Sequence, residues 1–203
     1  MENDNEIMFS EPRKTFMEIL KVQNREVPFA NILAYFFKPK EAHGLKTLFL
    51  DALLETKFTN IVDKNSEVKI HEKLIFDLNS VRVLVEQKTD EQNRIDLLIS
   101  TDTFVVCIEF KINHFLNNPL SNYKKYIEEN FSTKKKYYFI LTPFKKNATG
   151  KAVDYFVENN EFKQIILSHF INRVKEKIAE NNTEFITSKE YDYFLDFVLV
   201  LVR

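Results

Sequence analysis

The sequence predicts an α/β fold with a mixed central β-sheet of about four to five strands flanked by helices. Three observations predict it. Apolar residues recur with helical spacing through the first sixty positions. From about Val68 the pattern turns to short β-branched runs. Two of those runs follow each other across a short turn, and a helical stretch then leads to a further run. An antiparallel pair and a parallel crossover need that order.

The elements follow in turn. Residues 15–23 carry Phe16, Ile19, Leu20 and Val22 at helical spacing. Pro28 suits the first turn of a second helix, which runs through Ile32, Leu33, Tyr35 and Phe36 and stops before Pro39. After a loop at residues 41–44, a third helix carries Leu45, Leu48, Phe49, Ala52 and Leu53. Residues 81–85 are β-branched and partly alternating and read as a strand. Residues 95–100 and 103–111 are two more, joined by a tight turn and apolar enough to lie in a sheet covered on both faces. Residues 120–131 space Leu120, Tyr123 and Ile127 as a crossover helix, and residues 136–142 form the next strand. Residues 162–167 are a candidate fifth strand. Ser168 is expected to cap a helix through Ala179, with Phe170, Ile171, Val174 and Ile178 on one face. A closing helix at 191–202 presents Phe194, Phe197, Val198 and Leu201, a face more apolar than a small lid requires. With no repeat, low-complexity stretch or linker, the 203 residues are expected to form a single domain.

Composition excludes several functions. There are only 2 Gly, Gly44 and Gly150, which rules out Gly-rich phosphate loops and dinucleotide fingerprints. The net charge of −1 is not that of a protein that binds nucleic acid through bulk charge. Local clusters remain: Lys134, Lys135 and Lys136, then Lys145 and Lys146, bracket one expected strand, and Lys124 and Lys125 precede it. The single Cys107 lies in the most apolar run and allows no internal disulfide, as suits a reducing compartment. The acidic, polar start is not a signal peptide, and no apolar stretch approaches the ~20 residues of a membrane helix, so the expected location is cytoplasmic, without membrane. His43, His71, His114 and His169 lack metal-ligand spacing. His43 before Gly44 reads as closing a loop, and His114 lies three residues beyond Lys111.

Six residues hold the chemistry: Arg94, Ile95 and Asp96, then Ile108, Glu109 and Lys111. Twelve residues separate Asp96 from Glu109. Side chains two apart on a strand share a face, so Glu109 and Lys111 project together and Phe110 projects away. If the two strands pair, Asp96 comes within a few ångströms of Glu109. Two carboxylates that close repel unless they share a cation. Mg²⁺ is the natural one, a hard ion that takes one or two carboxylates and completes its shell with water and phosphate oxygens. The Phe110 backbone carbonyl would be a further ligand. Lys111 offers a compact charge with three donors for a water or a phosphate. Taken singly, Glu-x-Lys is equally a surface ion pair and Asp96 an ordinary strand acid.

These residues resemble the Asp…Glu-x-Lys signature of the PD-(D/E)XK nuclease superfamily, especially the branch that reads Arg-Ile-Asp-Ile-Leu-Ile…Ile-Glu-Asn-Lys-Ile. The likeness extends upstream through Arg25–Tyr35, with Glu26 and a Leu-Ala-aromatic run, and through His43-Gly44-Leu45 and Phe49-Leu50. Downstream it includes Tyr123, Tyr126 and Tyr138-Phe139-Ile140-Leu141-Thr142-Pro143. Three positions depart from the pattern: Phe110 stands where Asn is frequent, Ile95 where Pro is frequent, and Pro119 where a Gln often precedes Leu-x-x-Tyr.

The resemblance implies a restriction-endonuclease-like core over about 26–143, with a C-terminal helical part over about 168–203. It implies Mg²⁺-dependent hydrolysis of DNA phosphodiesters, with Mn²⁺ as a substitute, in defence, repair or mobile-element biology. Asp96 and Glu109 would be metal ligands together with the Phe110 carbonyl, Lys111 would assist the water or the transition state, and Glu26 would be a further catalytic acid. Lys134, Lys135, Lys136 and Lys145 would contact DNA, and, as in restriction-like members, a homodimer would bring two sites to two strands, with the apolar face of 191–202 available to join the copies. The alternative is a nuclease fold that is inactive, or activated by a protein partner, and serves as a binding or regulatory module.

Overall fold

The computed structural model describes residues 14–59, 67–68, 74–90, 92–112, 120–143, 161–181, 186 and 188–202. Its strands are β1 (Phe58–Thr59), β2 (Glu67–Val68), β3 (Arg82–Lys88), β4 (Arg94–Ser100), β5 (Phe104–Phe110), β6 (Lys135–Thr142) and β7 (Phe162–Ile166). They form one sheet in the order β2-β1-β7-β6-β5-β4-β3. The β3–β4 and β4–β5 pairs are antiparallel, whereas β5–β6 and β6–β7 are parallel. The sheet is thus mixed, with five long strands. The two-residue β1 and β2 extend one edge beyond the expected four to five, and they are too short to leave a period in the sequence.

The helices are α1 (Phe16–Ile19), α2 (Glu26–Phe37), α3 (Leu48–Glu55), α4 (Leu120–Asn130), α5 (Leu167–Asn181) and α6 (Lys189–Val202). On one face of the sheet α2, α3, α5 and α6 bury a Phe-rich core. Phe36 stacks on Phe49 at 4.6 Å, Phe194 meets both edge-on, and Phe29 packs on Phe197. Each fully buried Phe contributes roughly 1.5–3 kcal/mol. The other face carries a smaller core, in which Leu120, Tyr123 and Ile127 of α4 cover Leu98, Val105, Cys107, Tyr138 and Ile140. Covered on both sides, β5 buries all seven of its residues, which is why it reads as an unbroken apolar run.

Four local expectations need correction. The first helix, expected over 15–23, is a single turn. Thr15 and Glu18 close a capping box at its start, and Lys21 at φ +55° ends it, with Val22 N–H bonded to the Met17 carbonyl and Lys21 N–H to that of Glu18. The third helix begins at Leu48 rather than Leu45, because Lys46 takes φ +51°. Ser168 is no cap: it lies inside α5, which starts at Leu167 directly from β7. The apolar face of α6 is no free dimer surface, since Phe194, Phe197 and Val198 are buried in the chain's own core. No helix among the described residues is long and apolar enough to cross a membrane.

Candidate active site

The β4–β5 register pairs Leu97 with Ile108 and Leu98 with Cys107. One further step sets Asp96 across from Glu109, and there the side chain replaces the ladder: Phe110 N–H donates to Asp96 Oδ2 at 2.8 Å. Phe110 itself turns into the Phe-rich core, as expected from its place between two polar residues. Glu109 and Lys111 share the opposite face, and both are buried.

Lys111 Nζ lies 2.7 Å from Glu109 Oε1 and 3.3 Å from Glu26 Oε2, and it donates to the Phe110 carbonyl at 2.8 Å. Glu109 Oε1 is thus held by the ammonium, whereas its buried Oε2 has no hydrogen-bond partner among the described residues. Glu26, at the start of α2, also accepts the Ile112 N–H at 3.2 Å. Three carboxylates therefore face one ammonium. Burial pushes the Asp96 carboxyl up to about 6, against the opposing pull of Phe110 N–H and Lys111. Burial, with Asp96 close by, raises Glu109 well above the usual carboxylate range. Burial alone would lower Lys111, but Glu109, Glu26 and Asp96 outweigh it and raise the ammonium. The Cys107 thiol beneath them is also raised, by burial first and then by Glu109, so it stays protonated and inert.

The donor set fits a hard divalent cation. A buried carboxylate with one oxygen on an ammonium and the other unpartnered, beside a second carboxylate whose ionisation burial opposes, is a pair that one ammonium does not neutralise. Among the described residues no three or more His, Cys, Asp or Glu side chains are grouped to hold a metal. Mg²⁺, which takes one or two carboxylates and keeps its waters, does not require such a cage. The Phe110 carbonyl, expected as a third ligand, is engaged by Lys111 and keeps one lone pair.

The structure thus brings Glu26, Asp96, Glu109 and Lys111 together. It does not bring Lys134, Lys135 and Lys136 to them. Phe104 pairs with Lys135 and Glu109 with Ile140, which puts this cluster at the far end of β5, about 16 Å along the strand. There Lys134 donates to the Thr101 carbonyl, Lys135 lies over the Tyr137 ring, and Lys136 pairs with Glu128. Lys145 and His114 lie outside the described residues. Sequence reasoning missed a neighbouring polar pair on the Glu109 face of the sheet. Gln164, in register with Ile140, donates to Thr142 Oγ1 at 2.8 Å, and its buried Oε1 has no hydrogen-bond partner. A Gln inside the apolar run 162–166 was the available signal. His43 closes its loop as expected, with Leu45 N–H on Nδ1 and Nε2 between the Lys38 and Tyr35 carbonyls.

No curated protein and no solved structure matches the chain. The profile of the PD-(D/E)XK nuclease superfamily matches residues 15–192, nearly the whole chain, and the chain belongs to that superfamily.

Proposed function

We infer that this chain is a metal-dependent nuclease that hydrolyses DNA phosphodiester bonds, acting as one domain in the cytoplasm. One observation carries the reading: the buried Glu109 carboxylate lies beside Asp96 with one oxygen on the Lys111 ammonium and the other without a partner. Asp96 and Glu109 would hold Mg²⁺, or Mn²⁺ in its place. When bound, the ion supplies Lewis acidity and a water of lowered pKa.

The chain's own groups do the rest. Water attacks phosphorus in line with the 3′ oxygen, which leaves as the new P–O bond forms. Lys111 supplies a donor to the phosphoryl oxygens or the attacking water by giving up one of its contacts to Glu26, Glu109 or the Phe110 carbonyl. Glu26, on the other side of the ammonium, keeps Lys111 at the strand end. The lysines of the far end would touch flanking phosphates rather than the one that is cut.

The test is cleavage of plasmid DNA, linear DNA and RNA with Mg²⁺ or Mn²⁺, by wild type, Asp96→Ala and Lys111→Ala. The expected result is metal-dependent DNA cleavage that both variants abolish. Cleavage that persists in both would overturn the site assignment. A wild type that neither cleaves nor binds Mn²⁺ would favour the binding module instead.

A further inference from the structure

Glu86, on the edge strand β3, lies outside the site already described. It is the one residue within β3, β4 or β5 with a positive φ, at +54°. Left-handed backbone is disfavoured for L-residues with a Cβ, and it occurs where surrounding structure imposes it.

Two features show what it does there. The first is the register. Val85 pairs with Leu97 and Gln87 with Ile95, while the pair between them, Glu86 with Asp96, is missing from the ladder. The second is the alternation of side chains. Leu97 and Ile99 belong to the Phe-rich core, yet Ile95 belongs to the α4 core together with Leu98. On β3, Val83 and Val85 pack on the Phe-rich side, whereas Gln87 donates to the Tyr126 hydroxyl of α4. In regular strands residues 95, 97 and 99 share a face, as do 83, 85 and 87. Both strands therefore turn over at the same step. Asp96 sits in the middle of that reversal, so its carboxylate lies edgewise in the plane of the sheet. That is the orientation in which it can accept the Phe110 N–H of the next strand.

We propose that Glu86 is a positioning residue for the active site: its left-handed backbone opens the β3–β4 ladder opposite Asp96 and turns that carboxylate toward Glu109. Arg94, in ion-pair contact with Glu86 at 3.0 Å, braces the kink. The device acts through Asp96 and touches no substrate. Strand distortions beside active sites re-aim side chains in this way. The proposal rests on the nuclease reading for its purpose, though not for its geometry.

The experiment compares Glu86→Gly, Glu86→Ala and Glu86→Val in the full chain. All three remove the carboxylate and its Arg94 contact, and they differ in how readily the backbone stays left-handed. Mn²⁺ affinity by calorimetry and DNA cleavage are measured beside the Phe110 amide proton shift. Glu86→Gly is expected to match wild type. Glu86→Val is expected to weaken Mn²⁺ binding and cleavage by about tenfold or more, the factor that a left-handed penalty carries. Its Phe110 shift should move toward that of Asp96→Ala. Where Glu86→Val does not melt cooperatively, Glu86→Ala is expected to fall several-fold below Glu86→Gly.

Equal loss in all three variants would assign the effect to the side-chain charge and overturn the proposal. So would a folded Glu86→Val that binds Mn²⁺ like wild type. If wild type neither binds Mn²⁺ nor cleaves, the nuclease reading fails by itself. The Phe110 shifts then decide the positioning alone, and identical shifts in all variants would overturn it.

Discussion

His43 and Glu109 are both buried and both polar, and the molecule treats them in opposite ways. Every nitrogen of the His43 ring has a backbone partner, supplied by Leu45, Lys38 and Tyr35, and the ring packs edge-on to Tyr35. Glu109 has an ammonium on one oxygen and no hydrogen-bond partner at the other. A satisfied buried group rigidifies a loop, whereas an unsatisfied one lowers stability by its desolvation. The His43 loop serves the fold. The Glu109 end of β5 keeps an arrangement that the fold alone disfavours.

The largest expected effect falls on the carboxylate end. Asp96→Asn should reduce DNA cleavage by roughly 10²–10³-fold or more, the scale of a lost transition-state electrostatic contribution. The same substitution should raise the melting temperature of metal-free protein at pH 7.5 by several degrees, because a buried charge is removed while Asn still accepts the Phe110 N–H. A melting temperature that falls instead would contradict the distinction between the two regions.

The His43 loop should respond in the reverse sense. His43→Ala leaves the Leu45 N–H without its partner, while the Tyr35 and Lys38 carbonyls keep the N–H groups of Lys38 and Glu41, at about 1–3 kcal/mol, which should lower the melting temperature by roughly 3–10 °C in calorimetry. Cleavage by the protein that remains folded should be unchanged, since the ring touches no carboxylate of the site.

Acid and base should separate the regions next. Burial lowers the His43 imidazole below its usual value, so its neutral form belongs to the fold. That stability is present above pH ~6.5 and is lost as pH falls toward the folded value. Asp96 behaves oppositely: with its carboxyl raised to about 6, its contribution is present below pH ~4 and is lost as pH rises through about 6. Denaturant melts of metal-free wild type, Asp96→Asn and His43→Ala between pH 4 and 8 would resolve both slopes. Asp96→Asn should make the loss between pH 4 and 6 shallower, leaving the part that the raised Glu109 carboxyl contributes, and leave the imidazole slope in place.

The smallest effect is expected at the far end of β5. Lys134→Ala, Lys135→Ala and Lys136→Ala should each change DNA affinity by a few-fold at most, with a shallower salt dependence and an unchanged cleavage rate at saturation. A loss of cleavage comparable to that of Asp96→Asn would mean that nucleic acid crosses the sheet by another route.

Much of the fold was legible because its signals are local. Period-two and unbroken apolar runs marked β3 to β7, and helical spacing marked α2, α4, α5 and α6 within a few residues. Two of the errors fell where one backbone angle decides: Lys21 and Lys46 have ordinary side chains for a helix, and nothing local announces their positive φ. The two-residue β1 is a strand because β7 offers it an edge, and β2 because it pairs in turn with β1.

By itself the sequence determined the α/β class and the grouping of Asp96 with Glu109 and Lys111, since a short turn between adjacent strands leaves little freedom in register. Only the tertiary structure decided which distant groups join them. Glu26 reaches Lys111 across 85 residues because α2 starts at the strand end, and the α6 face that could have joined two chains is consumed by Phe36 and Phe49. Sequence adjacency likewise could not tell that Lys135 pairs with Phe104 rather than with the site end of β5, because that follows from the parallel crossover through α4. The left-handed turn of Glu86 opposite Asp96 belongs to the same class: it depends on how two cores compete for neighbouring side chains, and packing in three dimensions resolves that competition.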